Sequence, residues 1–178
     1  MYRKYIDKKY ELMIDERIRV DGHILYRIKA FRDFSDVKCG DLGCYVEFEK
    51  NLSDNGGSWI YDNAMVFENA CVAGNSKVRG NSKIYDHARI AGHADISENS
   101  VVCGCAHVHD TAKISGESRS FGYAQIFGSA HISGDAWVCG DIHIYGTIRL
   151  NAGCWNQYMV MDHREYLIST TLEKLELM

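Results

Sequence analysis

A period of six residues runs through the middle of the chain and constrains its fold more than any other feature. From Ile60 to Leu150 every sixth residue is aliphatic, with Ser120 as the exception. Four places after these residues, from Ala64 to Ala136, only Ala or Ser occurs. Two places after them, from Asp62 to Gly146, only Gly, Asp or Glu occurs. Neither an α-helix nor a flat strand has this period. The sequence therefore predicts short strands, separated by bends, that stack on one another.

Each position of the six-residue unit has a physical role in this prediction. The aliphatic residue points inward from a short strand, and the small residue points inward where the chain bends. The Gly, Asp or Glu residue makes the bend, as suits a chain without proline, because Gly and Asp tolerate positive φ. One short strand has too little apolar surface to be stable alone, so neighbouring turns must bond to each other at a spacing of about 4.8 Å.

The pattern aliphatic–x–Gly/Asp–x–Ala/Ser–x resembles the hexapeptide-repeat family. This resemblance implies an all-β fold, a left-handed parallel β-helix in which three hexapeptides form one coil of eighteen residues. Residues 60–150 then supply about five coils.

Residues 36–66, which contain "CGDLGCYVEFEKNLS" and "WIYDNA", are similar to the opening segment of a bacterial and phage subgroup that includes the YdcK-like proteins. Cys44 replaces the second Gly of that subgroup's "GDLGG" motif. The subgroup's members are described as transferases or polymer-forming proteins.

We expect both ends of the coil stack to be capped, because open strand edges invite further pairing. Residues 1–41 are predicted as an N-terminal cap, a β-hairpin over Ile14 to Phe31 with its turn at Asp21–Gly22. Residues 42–150 form the β-helix, with a degenerate first coil that points Leu42 and Phe48 inward and has a bulged corner at 51–58. Residues 151–178 are predicted as a small C-terminal cap with one or two strands and a short terminal helix.

Composition excludes some function classes. The net charge of −4 makes nucleic acid an unlikely partner. No apolar run approaches the roughly 20 residues of a membrane span, and the first residues do not resemble a signal peptide. We therefore expect a cytoplasmic protein without membrane contact, whose seven cysteines remain reduced.

Two exterior columns with a spacing of eighteen residues are the candidate binding surfaces. One holds Phe67, Tyr85 and Phe121, together with Cys103 and Cys139; the other holds His109, Phe127 and Tyr145 above two alanines, Ala73 and Ala91. Each column forms a ladder of stacked side chains that steadies the coils, or an apolar stripe used for self-association or for a partner. The two interpretations are compatible. Asn63, Asn81 and Asn99 are predicted to form a hydrogen-bonded structural ladder at one bend.

Enzymatic chemistry has weaker support, because the packed interior leaves no room for a ligand. The family resemblance implies a second hypothesis, an acyltransferase with a coenzyme A or carrier-protein donor, in which His107 or His143 is the general base. These histidines share a column with Cys71, Arg89 and Gln125, and the simpler interpretation is a wet polar surface. The unbroken repeat, without the long loop of such enzymes, argues against this hypothesis. Cys103, Cys105, His107 and His109 are expected to fan around a corner, so neither a metal site nor a cofactor is predicted.

The favoured hypothesis is a non-enzymatic, rigid β-helical module for protein binding or assembly. Its partners would be further copies of itself, as a homodimer or homotrimer, and a host protein. One version is a phage or mobile-element protein that inhibits a host defence protein. A purely structural self-assembling element is the third hypothesis. Ser120 is a lapse in the repeat that implies either a local bulge at Phe121 or a polar pocket in the core.

Overall fold

Two-residue strands separated by bends make up most of the structure, a computed structural model that describes residues 8–156. Stacked parallel coils form a β-solenoid of about six turns, preceded by an antiparallel hairpin. The predicted all-β fold of stacked coils is therefore confirmed. The C-terminal cap was predicted over residues 151–178, of which the structure describes 151–156. A strand at Cys154–Trp155 continues the solenoid there by pairing parallel with Trp137–Val138, and residues 157–178 lie outside the described range.

The chain begins with β1 (Tyr10–Val20), β2 (His23–Ala30), β3 (Leu42–Val46) and a 3₁₀ helix (Glu49–Asn51). The short strands that follow are β4 (Trp59–Ile60), β5 (Met65–Val66), β6 (Cys71–Val72), β7 (Lys77–Val78), β8 (Lys83–Ile84), β9 (Arg89–Ile90), β10 (Asp95–Ile96), β11 (Val101–Val102), β12 (His107–Val108), β13 (Lys113–Ile114), β14 (Arg119–Ser120), β15 (Gln125–Ile126), β16 (His131–Ile132), β17 (Trp137–Val138), β18 (His143–Ile144), β19 (Arg149–Leu150) and β20 (Cys154–Trp155).

Three sheets form the three faces of the solenoid. The first face has the strand order β1-β2-β3-β5-β8-β11-β14-β17-β20, the second β19-β16-β13-β10-β7-β4, and the third β18-β15-β12-β9-β6. Consecutive short strands lie on different faces, and each pairs with the strand one turn later. Residues eighteen apart therefore lie directly opposite each other, as Ile96 and Ile114 do on the second face.

The core is a column of aliphatic side chains along each face. The repeat residues from Ile60 to Leu150 are all at most 3% exposed. The small residues at the bends are equally buried, and Ile142 and Ile148 take their place in the last coil. Each two-residue strand thus buries one of its two side chains. This burial is the main source of stability for strands this short.

The bends depend on positive backbone φ and on carboxylates. All residues at the Gly/Asp/Glu position, from Asp62 to Gly146, have φ between 55° and 76°. Where this residue is acidic, its carboxylate accepts a hydrogen bond from the backbone N–H of the equivalent residue one turn later, as Asp86 does from Gly104 at 2.8 Å. The equivalent hydrogen bond is accepted by the carboxylates of Asp62, Glu68, Glu98 and Asp110. Asp and Glu therefore link successive turns, a role that the repeat pattern alone does not reveal.

The predicted asparagine ladder is also present at one bend. The side-chain amide of Asn63 donates to Asn81 at 3.2 Å, and that of Asn81 donates to Asn99 at 3.0 Å. Polar side chains at this bend therefore bond along the solenoid axis, as the spacing of eighteen predicts.

Ser120 lies in the core without a bulge. It pairs in register with Val102 below and Val138 above, and it is fully buried. Its hydroxyl has no hydrogen-bond partner among the described residues. The buried serines at the bends differ, because Ser118, for example, donates to the carbonyl of Ser115 at 2.6 Å. The bulge predicted at Phe121 is therefore wrong, and a single polar atom interrupts the apolar core.

The degenerate first coil exists, but its predicted alignment is wrong. Leu42 and Phe48 are 47% and 45% exposed, and Val46 and Leu52 occupy the inward positions instead. Val46 pairs with Val66 and Leu52 with Val72. Both separations are two residues longer than in a regular coil, because the corner after Leu52 holds two additional residues. The predicted bulged corner is therefore present, but it shifts the inward residues of this coil.

The N-terminal hairpin closes the first end of the core. Its turn at Asp21–Gly22 confirms the predicted position, and β2 pairs antiparallel with β3. Tyr10 places the edge of its ring against the fully buried Trp59, with the ring centroids 6.3 Å apart. Lys9 is also fully buried, and its ammonium donates to the carbonyl of Ser58 at 2.9 Å. The hairpin thus covers the first coil by extending the first face and packing side chains over Trp59.

Candidate functional site

The interior of the solenoid offers no ligand chamber in the described residues, because the inward side chains fill it. Any partner must be met at an outer face, at a corner or at an end.

The first candidate column lies on the first face, and its rings stack on one another only at its lower end, beside the hairpin. The rings of Phe67 and Tyr85 are stacked, with centroids 5.1 Å apart and an interplanar angle of 13°. His23 of the hairpin packs against Phe67 at 5.4 Å, and Phe67 is only 4% exposed. The His23 imidazole lies between the carboxylates of Glu47 and Glu68, at 3.1 and 3.3 Å, and its hydrogen bond to Glu47 raises the pKa of His23. The hairpin therefore covers the start of this column, which sequence spacing could not indicate.

The ring stack ends in the middle of the same column. Cys103 follows Tyr85, and a side-chain hydrogen bond between them, together with burial, raises the pKa of Tyr85 to about 12. Burial raises the pKa of the Cys103 thiol as well. This thiol is therefore protonated at neutral pH, and its environment is typical of a packing residue, not of a reactive cysteine.

An exposed aromatic cluster occupies the upper part of the first face. Phe121 meets the indole of Trp137 edge-on, with centroids 6.4 Å apart, and the Arg119 guanidinium lies 5.4 Å from the centroid of the Trp137 ring. Trp137 is 45% exposed, and Tyr123, at the adjacent corner, is 65% exposed. We call these four residues, Arg119, Phe121, Tyr123 and Trp137, the aromatic patch. Of these four residues, only Phe121 was predicted from the sequence to belong to a binding surface.

The second candidate column, on the third face, is a ladder of stacked rings. His109 lies parallel to Phe127 at 5.0 Å, and Phe127 lies nearly parallel to Tyr145 at 5.3 Å. Rings stacked along the solenoid axis cover each other's faces and leave mainly their edges to solvent. This arrangement supports the interpretation as a ladder that steadies the coils, because little ring surface remains for a planar ligand.

The histidines proposed as general bases lie on the third face, two turns apart. Arg89, His107, Gln125 and His143 are paired in this order, as the spacing predicted. Burial, then the neighbouring His109 and Arg89, lowers the pKa of His107. The imidazole of His107 is therefore neutral at pH 7 and packs against His109 at 4.7 Å. His143 is more open, with Nε2 at 3.8 Å from Oδ1 of Asp141.

A groove of about 440 Å³ lies away from these histidines, at the N-terminal hairpin. Its apolar wall contains Leu12, Ile14, Tyr26 and Phe31, and its charged rim contains Lys8, Glu11 and Glu49. The groove holds no histidine, so it gives neither His107 nor His143 an enclosed site.

The cysteine and histidine pairs after β11 do not converge. Within residues 8–156, no three His, Cys, Asp or Glu side chains lie close enough to hold a metal ion. Over the same range, no helix is long and apolar enough to cross a bilayer.

Comparison with known proteins adds no family to this description. No family model matches the chain. No curated protein matches it either.

Proposed function

We propose that this protein is a rigid, non-enzymatic binding module that recognises another protein through the aromatic patch. The observation that carries this proposal is the exposure of Trp137 and Tyr123 beside Phe121 and Arg119. Aromatic residues and arginine are enriched where protein interfaces concentrate their binding energy. The packed solenoid beneath them presents these side chains from fixed positions, which reduces the entropy lost on binding.

The class of partner follows from two considerations. The patch lies on the outer surface of a stack of strands, so it suits either a second copy of the chain or a flat surface of a different protein. The phage-like opening segment favours a host protein, including a component of a defence system. This choice of partner rests on the resemblance of residues 36–66 alone.

The test removes the aromatic side chains and compares the variants with a matched control. Trp137→Ser and Tyr123→Ser should each weaken partner binding by about thirtyfold or more, since a central aromatic anchor contributes about 2 kcal/mol or more. Ile14→Ser is the control, because it removes a side chain that is 69% exposed but lies on the hairpin. Light scattering measures self-association, and affinity capture from host extract, followed by binding of the purified partner, measures heterologous recognition. Unchanged mass and unchanged partner affinity in both patch variants would refute the proposal.

The same preparation addresses the acyltransferase alternative. A ligand that binds the native state must raise its melting temperature. Coenzyme A at a concentration on the order of 1 mM should leave the melting temperature unchanged if the protein is a binding module. A rise that disappears in His107→Ala or His143→Ala would instead support the enzyme hypothesis.

A further inference from the structure

Cationic side chains lie along the second face, and those in its lower half pair with carboxylates. Lys77 donates to Oδ2 of Asp36 at 2.7 Å, and Arg79 pairs with Asp95 at 3.0 Å. The hydroxyl of Tyr61 also donates to Asp36, at 2.8 Å. The hydrogen bond from Lys77 lowers the pKa of Asp36 to about 2, so this carboxylate stays charged at any ordinary pH.

The upper half of the same face is not neutralised. Lys113, His131 and Arg149 lie directly opposite one another on three successive strands. Neither Lys113 nor Arg149 makes an ion pair with any residue of the described range 8–156. Asp95 lies opposite Lys113 on the preceding strand, but its Oδ2 pairs with Arg79 at 3.0 Å. Lys113 and Arg149 repel each other across His131, and a bound anion would offset this repulsion.

The histidine in the middle responds to this repulsion. Burial, then Arg149 and Lys113, lowers the pKa of His131, and the carboxylate of Glu98 opposes the effect. Glu98 is itself engaged at the bend, where it accepts a hydrogen bond from the N–H of Gly116 at 2.7 Å. Burial and the basic neighbours therefore hold His131 largely neutral, and an added negative charge would let it gain a proton.

Hydroxyl groups border the column on one side. Oγ of Ser115 lies 3.2 Å from Nε2 of His131, and the hydroxyl of Ser133 donates a long hydrogen bond of 3.4 Å to the carbonyl of Leu150. Both side chains are short, so they leave the space above the face open. Both can turn a hydroxyl hydrogen toward an oxygen atom that binds between the cations.

We propose that Lys113, His131 and Arg149, with Ser115 and Ser133 beside them, bind a doubly charged oxyanion: a phosphoryl or sulfuryl group. Three strands at about 4.8 Å spacing give the cations a span of about 10 Å, which suits one compact anion. Guanidinium, ammonium and hydroxyl donors are the groups that hold such oxygens.

A long polyanion fits this surface less well. Glu98, Glu117 and Asp135 lie at successive turns of the adjoining corner, and the whole chain has a net charge of −4. These carboxylates would repel a nucleic-acid backbone that continued past the three cations.

The experiment titrates the full chain with sulfate, whose charge of −2 does not change with pH, and follows the His131 ring by NMR. Binding and protonation are reciprocal, so sulfate should raise the pKa of His131 and should bind at least about threefold more tightly at about pH 5.5 than at about pH 8. Lys113→Gln should weaken binding about fivefold or more, because it removes one charge that is not otherwise paired. Lys83→Gln, with the same charge change on the first face, is the matched control and should weaken binding less than about twofold.

Two results would overturn the proposal. One is the absence of a sulfate-dependent shift at His131, and the other is an equal loss of affinity in the two glutamine variants. A phosphoserine peptide and its unphosphorylated form identify the source of the group. Binding of the phosphopeptide well above sulfate indicates a phosphorylated protein, and equal affinities indicate a free oxyanion. Trp137→Ser should leave sulfate binding unchanged, so this proposal and the aromatic patch are tested independently.

Discussion

Ser120 allows a sharp test of how the core is stabilised, because its neighbours show what should stand in its place. The next turn holds Ile132, Val138 and Ile144, whereas the turn of Ser120 holds Ile114, Ser120 and Ile126. Ser120→Val would therefore reproduce a combination of side chains that the solenoid already accommodates. The substitution also removes a buried hydroxyl without a partner.

The expected gain follows from two contributions. An unsatisfied buried hydroxyl costs about 1–3 kcal/mol, and one additional buried carbon contributes about 0.8 kcal/mol. Ser120→Val should thus raise the free energy of unfolding by about 2–4 kcal/mol. At about 2–4 °C per kcal/mol for a chain of this size, the melting temperature should rise by about 4–16 °C.

Two comparisons separate the hydroxyl from the shape of the side chain. Ser120→Thr has the shape of valine but keeps the hydroxyl, so it should be about 1–3 kcal/mol less stable than Ser120→Val. Ser118→Ala, two residues away, removes a hydroxyl that donates to Ser115 and should cost about 1 kcal/mol. Equilibrium denaturation in urea measures all three variants. A valine variant no more stable than the threonine variant would refute the reasoning.

Substitutions at three further positions test the bends and the N-terminal cap. Asp86→Ala should lose about 2–4 kcal/mol, because it removes the bond to Gly104 and places alanine at a φ of 57°, whereas Asp86→Gly should lose less than the alanine variant; equal urea midpoints would contradict the strain argument. Gly43→Ala should lose about 1–3 kcal/mol by thermal denaturation, since an added Cβ would lie 2.6 Å from Ile28 and 2.7 Å from Trp59, and an unchanged melting temperature would show that this packing yields. Burial lowers the pKa of Lys9 to about 8 from its ordinary 10.5, so the unfolded chain binds more protons between these values. The stability of the wild type relative to Lys9→Met should therefore rise between about pH 8 and 10.5, and a flat difference in urea titrations at several pH values would contradict it.

The sequence predicted the coils and the columns because both depend on a strict period. The inward position of Ile96 and the pairing of His107 with Gln125 follow from spacing alone. The hairpin turn was also predictable, since Asp21–Gly22 interrupts alternating apolar residues. These features are local or exactly periodic, so no knowledge of distant contacts was needed.

The parts that escaped prediction depend on contacts without a period. The cover that His23 provides for Phe67 is set by how the hairpin packs on the first coil. Two additional residues in one corner moved Val46 into the position predicted for Phe48. Trp137 was missed because it precedes an inward residue, in a column where the two preceding side chains, Val101 and Arg119, are not aromatic. The column of Lys113 is regular in sequence, but only the contacts of Lys77 and Arg79 show which cations lack a carboxylate.

The bonds from corner carboxylates to the following turn make the solenoid modular in units of one whole coil. Excision of eighteen consecutive residues from its middle would shorten the stack by one layer, about 4.8 Å, and would return every remaining side chain to its original face. Excision of six residues would instead rotate everything beyond the cut by one face, and would move the indole of Trp137 away from the side that the hairpin occupies. Insertions and deletions can therefore change the length of this protein without altering which side chains each face displays, but only in steps of a full turn.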